Sequence, residues 1–473
     1  MPKAVARLLA AAVLAVPLAA CGSGPPAQLA LVHADVFDSR TGAVLPDRTV
    51  IVRDGRIAAL TPSTAEPPAA ARVIDARGRL LTPGLIDGHH HTAMVLADSI
   101  TATGGPIANL SMEPDSITAY RHRWARAYLP YGVTSVRAAG DDERDLPMLT
   151  AWMHPVPWAP DFYPCGGAMV SHEEGRVPYP GHVEVASPEA AAAKVRQYHD
   201  LGFRFVKLYW RLREPEFTAA IRQAQALGMI PFAHIDFNVF SISKALDLGL
   251  RDVEHAYPLI KDVMTPEEQG RVWRTEIKPL TGGSRDGLFF AQTMGYFAHL
   301  GPDDPRMNAL IERLARTGTS VTPTLHVFGR LYGFTYFTLP PAGSFDDLSG
   351  YSDTLMAQGR RGYRVMAGYV KTMFDDGVRL NLGTDSAEPG KSALSEMLCL
   401  HGAGIPMPAV LRIATRNTAE TLAIQDSVGT IAPGMKADLV LFDRSPLEDP
   451  QNLLSPKTVI KDGVVEAEPA TRR

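Results

Sequence analysis

Cysteine is nearly absent: the chain has three in 473 residues, Cys21, Cys165 and Cys399, too few for a disulfide framework. Cys165 and Cys399 remain open between a pair formed in an oxidising compartment and two buried thiols. No charge of one sign dominates. With 47 basic side chains against 51 acidic ones, nothing favours a nucleic-acid partner and none is expected. The apolar stretch from Leu8 to Ala20 is too short to span a membrane, and with Lys3 and Arg7 ahead of it reads as a secretory signal. Its removal would leave 45 basic residues, a formal charge of −6. Internal repeats are missing, as is low-complexity sequence beyond residue 28. What is present is an ordinary globular composition, 45% hydrophobic and 21% charged, long enough for one large domain and a smaller one.

The two ends share a texture. Leu29 to Val36, Thr49 to Val52, Arg56 to Leu60 and Arg72 to Ile74 read as short strands, with Asp54-Gly55 as a hairpin signal. Near the other end Ala437 to Phe442 and Thr458 to Lys461 read the same way, with Asp462-Gly463 as a second hairpin. Neither piece buries a face alone, so residues 28–82 and 430–468 are expected to form one composite β-sandwich domain.

Residues 83–429 are different. Apolar strands alternate with helical periods, predicting βα units. Eight strands are expected at Leu85–His91, Gly132–Ala138, Asp161–Gly166, Arg204–Tyr209, Met229–His234, Arg251–His255, Ser320–Leu325 and Val378–Asp385. Helices such as Pro188–Leu201, Glu214–Leu227 and Asn308–Thr317 end at Gly202, Gly228 and Gly318. The fold class is therefore α/β, a (β/α)8 TIM-like barrel, whose chemistry belongs at the C-terminal strand ends. Residues 257–318 and 327–377 exceed a simple connection and are expected to supply lids or pocket walls.

Those strand ends carry a metal-ligand pattern. In Pro83-Gly84-Leu85-Ile86-Asp87-Gly88-His89-His90-His91, alternate strand residues share a face, so His89 and His91 point together and His90 points away. Lys207, His234, His255 and Asp385 follow, one per later strand. Imidazole and carboxylate suit zinc and similar ions. His326 and His401 read as structural.

This set resembles the amidohydrolase superfamily, and Lys207-Leu208-Tyr209 resembles its branch of imidazolonepropionase-related proteins and prolidase-like dipeptidases. Gly132-Val133-Thr134-Ser135-Val136-Arg137 and the stretch Gly429 to Val440 extend the likeness over most of the chain. The resemblance implies two divalent metal ions, zinc being expected. His89, His91 and Asp385 would hold one, His234 and His255 the other, and a CO2-derived carboxylate on Lys207 would bridge them. It implies a hydrolase of carbon–nitrogen bonds acting on a small molecule or short peptide, such as a dipeptide or N-acyl amino acid, with Asp385 moving the proton.

The flanking residues are open to two readings each. Tyr209 shares the inward face with Lys207, as an oxyanion donor or a packed aromatic. Arg137 would hold a substrate carboxylate or brace a loop. Thr384 and Ser386 would fix the Asp385 carboxylate or are ordinary strand-end hydroxyls. The resemblance implies a Gly-Gly-His after the third strand, bearing on substrate; this sequence departs from it, reading Gly166-Gly167-Ala168-Met169-Val170-Ser171-His172, with His172 as the substrate-binding candidate it implies in that place.

Alternatives are a mononuclear deaminase or cyclic-imide hydrolase, a lactonase or esterase using the same water, and a non-catalytic ligand-binding lipoprotein. Phe237, where deaminases of this fold often place a glutamate, counts against the first. Leu18-Ala19-Ala20-Cys21 resembles a bacterial lipobox. Residues 1–20 would then be a lipoprotein signal peptide and 21–27 a tether, with Cys21 lipidated and the exported protein anchored to a membrane of the cell envelope. A homo-oligomer leaves no mark in the sequence.

Overall fold

The computed structural model describes residues 27–64, 69–97, 99–100, 106–175, 179–235, 239–280, 288–335 and 351–468. Cys21 with the signal and most of the tether, Phe237, and residues 336–350 lie outside the described residues. Among the described residues no helix is long and apolar enough to cross a membrane.

Both chain ends meet in one sheet. Ala27–Asp38 pairs with Ala43–Arg53, Ala70–Asp75 and Leu80–Pro83; Ala43–Arg53 pairs in turn with Arg56–Pro62, Leu80–Pro83 also pairs antiparallel with Leu439–Phe442, and Lys457–Lys461 and Val464–Ala467 follow. The eight strands form one continuous hydrogen-bonded network, with an apolar cluster of their own that includes Leu29, Leu31, Val50, Leu439 and Ile460. Both hairpin signals hold because both central residues adopt positive φ, Asp54 at 50° with Gly55 at 70°, and Asp462 at 49° with Gly463 at 76°.

The middle of the chain forms the expected barrel. Its strands are Leu85–His90, Val133–Ala138, Asp161–Tyr163 continued by Ala168–Ser171, Phe205–Leu208, Ile230–Ala233, Asp252–Glu254, Ser320–Thr322 and Arg379–Leu380. All neighbours run parallel. Closure comes from the Gly88 N–H donating to Leu382 O at 2.8 Å and the Thr384 and Asp385 N–H groups donating to His89 O at 3.1 and 3.0 Å.

The third strand is not the single run expected. It breaks at Pro164 to Gly167, where Gly166 has φ 74° and a Cβ would fall 2.4 Å from the Tyr198 ring. The first half then pairs with the second strand and the second half with the fourth.

The long connections are largely helical. Helix α1 (Leu288–Leu300) packs on α3 (Asp353–Asp375), so closely at Gly362 that a Cβ there would fall on Met294 O. Helix α2 (Leu325–Tyr332) follows the seventh strand, and α4 (Pro389–Gly402) follows the eighth. Cys165 and Cys399 are both buried and free.

Buried charges fasten the sheet domain to the barrel. Lys461 Nζ, fully enclosed, lies 3.1 Å from Asp161, 3.3 Å from Asp438 and 2.7 Å from Asp462. Lys436 Nζ lies 2.6 Å from Asp161 and 2.9 Å from Asp462. Asp161 is the barrel's own contribution.

Candidate metal centre

Three imidazoles converge on one carboxylate. His91 is still extended beyond the first strand, and its Nδ1 lies 2.7 Å from Gly140 O. A carbonyl only accepts, so Nδ1 donates and the Nε2 lone pair faces Asp385 Oδ1, 3.5 Å away. His255 Nδ1 lies 2.7 Å from Thr324 Oγ1, whose own proton goes to Pro323 O at 2.8 Å. Nδ1 therefore donates again, and Nε2 faces Asp385 Oδ2 at 3.9 Å. His89 Nε2 is buried without a hydrogen-bond partner, 3.8 Å from Asp385 Oδ1. Ligand atoms of His89, His255 and Asp385 all lie within 4.8 Å of one another.

The other two expected ligands border this cluster. His234 packs its ring 4.8 Å from that of His255; its Nδ1 has no partner and its Nε2 lies 3.4 Å from the Tyr257 hydroxyl. Lys207 is fully enclosed, its Nζ has no hydrogen-bond partner, and the Phe232 ring lies 4.8 Å from it. Burial, then the neighbouring Lys207 charge, holds His89 and His234 well below the usual imidazole range; His255 is lowered by burial and His89. Burial likewise pushes Lys207 down.

Such neutral nitrogens beside a carboxylate fit a divalent ion of the zinc type, and the bare Nε2, Nδ1 and Nζ are groups a protein rarely leaves unpaired. Strain points the same way. His255 and Asp385 hold φ at 66° and 46°, left-handed values that cost a non-glycine residue energy and gather at functional sites.

A cavity of about 190 Å³ opens over the cluster, with Tyr179, His182, Tyr209 and Tyr257 on its walls. Tyr209 thus stands where its spacing placed it, its ring 5.0 Å from His234. His90 points away, packed edge-on against Tyr128.

Other expectations need correction. Arg137 does not face the cavity: it is fully enclosed, with Nη1 on Asp252 and Nη2 on Glu254, both at 2.5 Å, and Nε on Gly88 O at 2.8 Å. His172 is also displaced. The break in the third strand turns its side chain outward, 58% exposed and bonded to Glu184, while His182 occupies the cavity wall. Thr384 donates to Asp87 Oδ2 at 2.6 Å, and Ser386 bonds Ser392 and the Glu388 N–H; neither holds Asp385.

Glu254, Asp87, Thr324, His182 and Tyr257 escaped the sequence reading. For Glu254 a signal existed: Asp252 and Glu254 on a predicted barrel strand, with Arg137 on another, are charges that burial permits only as partners. Asp87 accepts the N–H groups of His89 and Thr384, the Thr384 hydroxyl and that of Tyr128, tying the first strand to the eighth; burial pushes it up to about 7.

Known proteins share this fold. The amidohydrolase family matches residues 364–465. An imidazolonepropionase of Salinispora arenicola is 25% identical over 83% of this chain and 85% of its own. An adenine deaminase of Chelativorans sp. is 40% identical over 17% of this chain, and the chain spans only 14% to 24% of the length of the adenine deaminases it matches. The structure of a putative prolidase from Bifidobacterium longum superposes with a TM-score of 0.64 at 22% identity, covering 95% of this chain and 97% of that one. The chain is thus similar to members of the amidohydrolase superfamily in part of its sequence and in its fold.

Proposed function

We propose that this protein is a metal-dependent hydrolase of carbon–nitrogen bonds, taking a small amide such as a dipeptide or N-acyl amino acid. The observation that carries the proposal is the convergence of the His89, His91 and His255 Nε2 atoms on Asp385 beside the bare Lys207 amine. His89, His91 and Asp385 would hold one divalent ion and His234 and His255 a second, zinc being the expected metal. When bound, such ions polarise the scissile carbonyl and lower the pKa of water.

The chain's own groups supply the rest. Burial favours the neutral form of the Lys207 amine, the form whose lone pair attacks CO2; a C–N bond forms, one proton leaves, and the resulting anionic carboxylate would serve as a further metal ligand. The Asp385 carboxylate accepts a proton from the attacking water and passes it to the departing nitrogen. Tyr209, on the cavity wall, is the candidate donor to the developing oxyanion. The cavity's modest size suits a small substrate. The segment from Lys3 to Cys21 supports export and a lipid anchor at Cys21.

The test is amine release from dipeptides and N-acyl amino acids by zinc- and bicarbonate-loaded protein, with adenine and a lactone alongside. Release from the amides is expected. Ammonia from adenine alone would assign a deaminase instead, and no turnover of any of them would overturn the reading.

A further inference from the structure

Beneath the metal centre a buried run of charges crosses the barrel from the second strand to the sixth and on to the first. Arg137 donates to Asp252 Oδ2 and to Glu254 Oε1, both at 2.5 Å, and the other oxygen of Glu254, Oε2, lies 2.5 Å from His89 Nδ1. Arg137 and Glu254 are wholly enclosed, His89 is 1% exposed and Asp252 2%. A guanidinium has only donors and a carboxylate only acceptors. Arg137 therefore occupies one face of Glu254, and the other must receive a proton from His89. That places the proton on Nδ1 and the lone pair on Nε2, the atom facing Asp385. His91 and His255 reach the same arrangement through a neutral carbonyl and a neutral hydroxyl; of the three, His89 alone is backed by a carboxylate.

We infer that Glu254, itself held by Arg137, is a positioning residue that fixes the His89 proton on Nδ1 and thereby governs metal retention. The inference rests on the metal-centre reading. A charged acceptor makes a hydrogen bond about twice as strong as a neutral one and raises the basicity of the ligating imidazole.

The isosteric change Glu254→Gln separates this role from simple bracing. Arg137 keeps Asp252 as its counter-charge and draws the amide oxygen of Gln to itself, which turns the amide NH2 toward His89 Nδ1. Nδ1 must then accept, and the proton moves to Nε2, where a metal would bind. Asp252→Asn is the control, since it removes charge from the same guanidinium without touching His89.

The experiment reads the His89 tautomer by 15N NMR in metal-free protein and zinc affinity by chelator competition, with thermal unfolding run on each variant. The expected result is Nδ1–H in the parent and in Asp252→Asn, Nε2–H in Glu254→Gln, and zinc affinity down by about 10- to 100-fold in Glu254→Gln. A folded Glu254→Gln protein with an unchanged tautomer and unchanged affinity would overturn it. Should that variant not fold, the parent spectrum decides, because Nε2–H there would overturn it equally. A parent with Nδ1–H that binds no zinc would instead bring down the metal reading, and the inference with it.

Discussion

Two basic side chains lie against the Phe232 ring, the Arg137 guanidinium at 3.9 Å and Lys207 Nζ at 4.8 Å, yet of the two only Arg137 has carboxylate partners within hydrogen-bonding distance. Strand spacing revealed that both residues point inward, but could not show which was satisfied. That depended on Asp252 and Glu254, which lie 115 and 117 residues beyond Arg137. The candidate ligands were legible for the opposite reason. Each terminates an apolar strand, so strand and ligand are read from the same few letters. At Asp385 the account predicts that Asp385→Asn, which keeps an oxygen near the cluster but removes the proton acceptor, lowers kcat by about a hundred- to ten-thousand-fold while metal content holds. Steady-state kinetics with elemental analysis checks this, and normal turnover would contradict it.

Helix α2 shows how an element sets a side chain it does not contain. Glu396 on α4 accepts the Leu325 and His326 N–H groups at 2.9 and 2.6 Å, capping the helix that begins just after Thr324. Thr324, at φ 50°, in turn receives the His255 proton. His326 is bonded to Ser395 and Ser392, the structural role its sequence position suggested. Burial pushes Glu396 up to about 7 from an ordinary 4.5. The folded state thus holds a proton that the unfolded state releases, so this group removes stability as pH rises from about 4.5 to about 7 and adds no further slope above that. Glu396→Gln should abolish that part of the slope. Thermal unfolding from pH 5 to 7.5 should show the parent losing stability relative to the variant, by on the order of 3 kcal/mol over the whole interval. Parallel curves would contradict it. The same scale explains the error at His172. A strand read as one run fixes which histidine follows it, and the bend at Gly166, packed on Tyr198, is a tertiary contact invisible in local pattern.

For the whole molecule, hairpin signals and alternation were enough to join the two chain ends into one domain, since neither half had a core of its own. How that domain is fastened was not legible. Lys436 meets Asp161 across 275 residues, and neither residue looks unusual where it stands. Asp161→Ala would leave Lys461 and Lys436 buried with fewer counter-charges and should cost about 3 to 5 kcal/mol in denaturant unfolding. A change under about 0.5 kcal/mol, as for an ordinary surface site, would contradict the fastening role.

The central claim is that this barrel assembles a two-metal centre on Lys207. Its most direct test is elemental analysis of metal per chain for the parent and Lys207→Ala, both purified with zinc and bicarbonate. About two equivalents in the parent and a marked loss in the variant are predicted. A single equivalent unaffected by the substitution, or none at all, would contradict it.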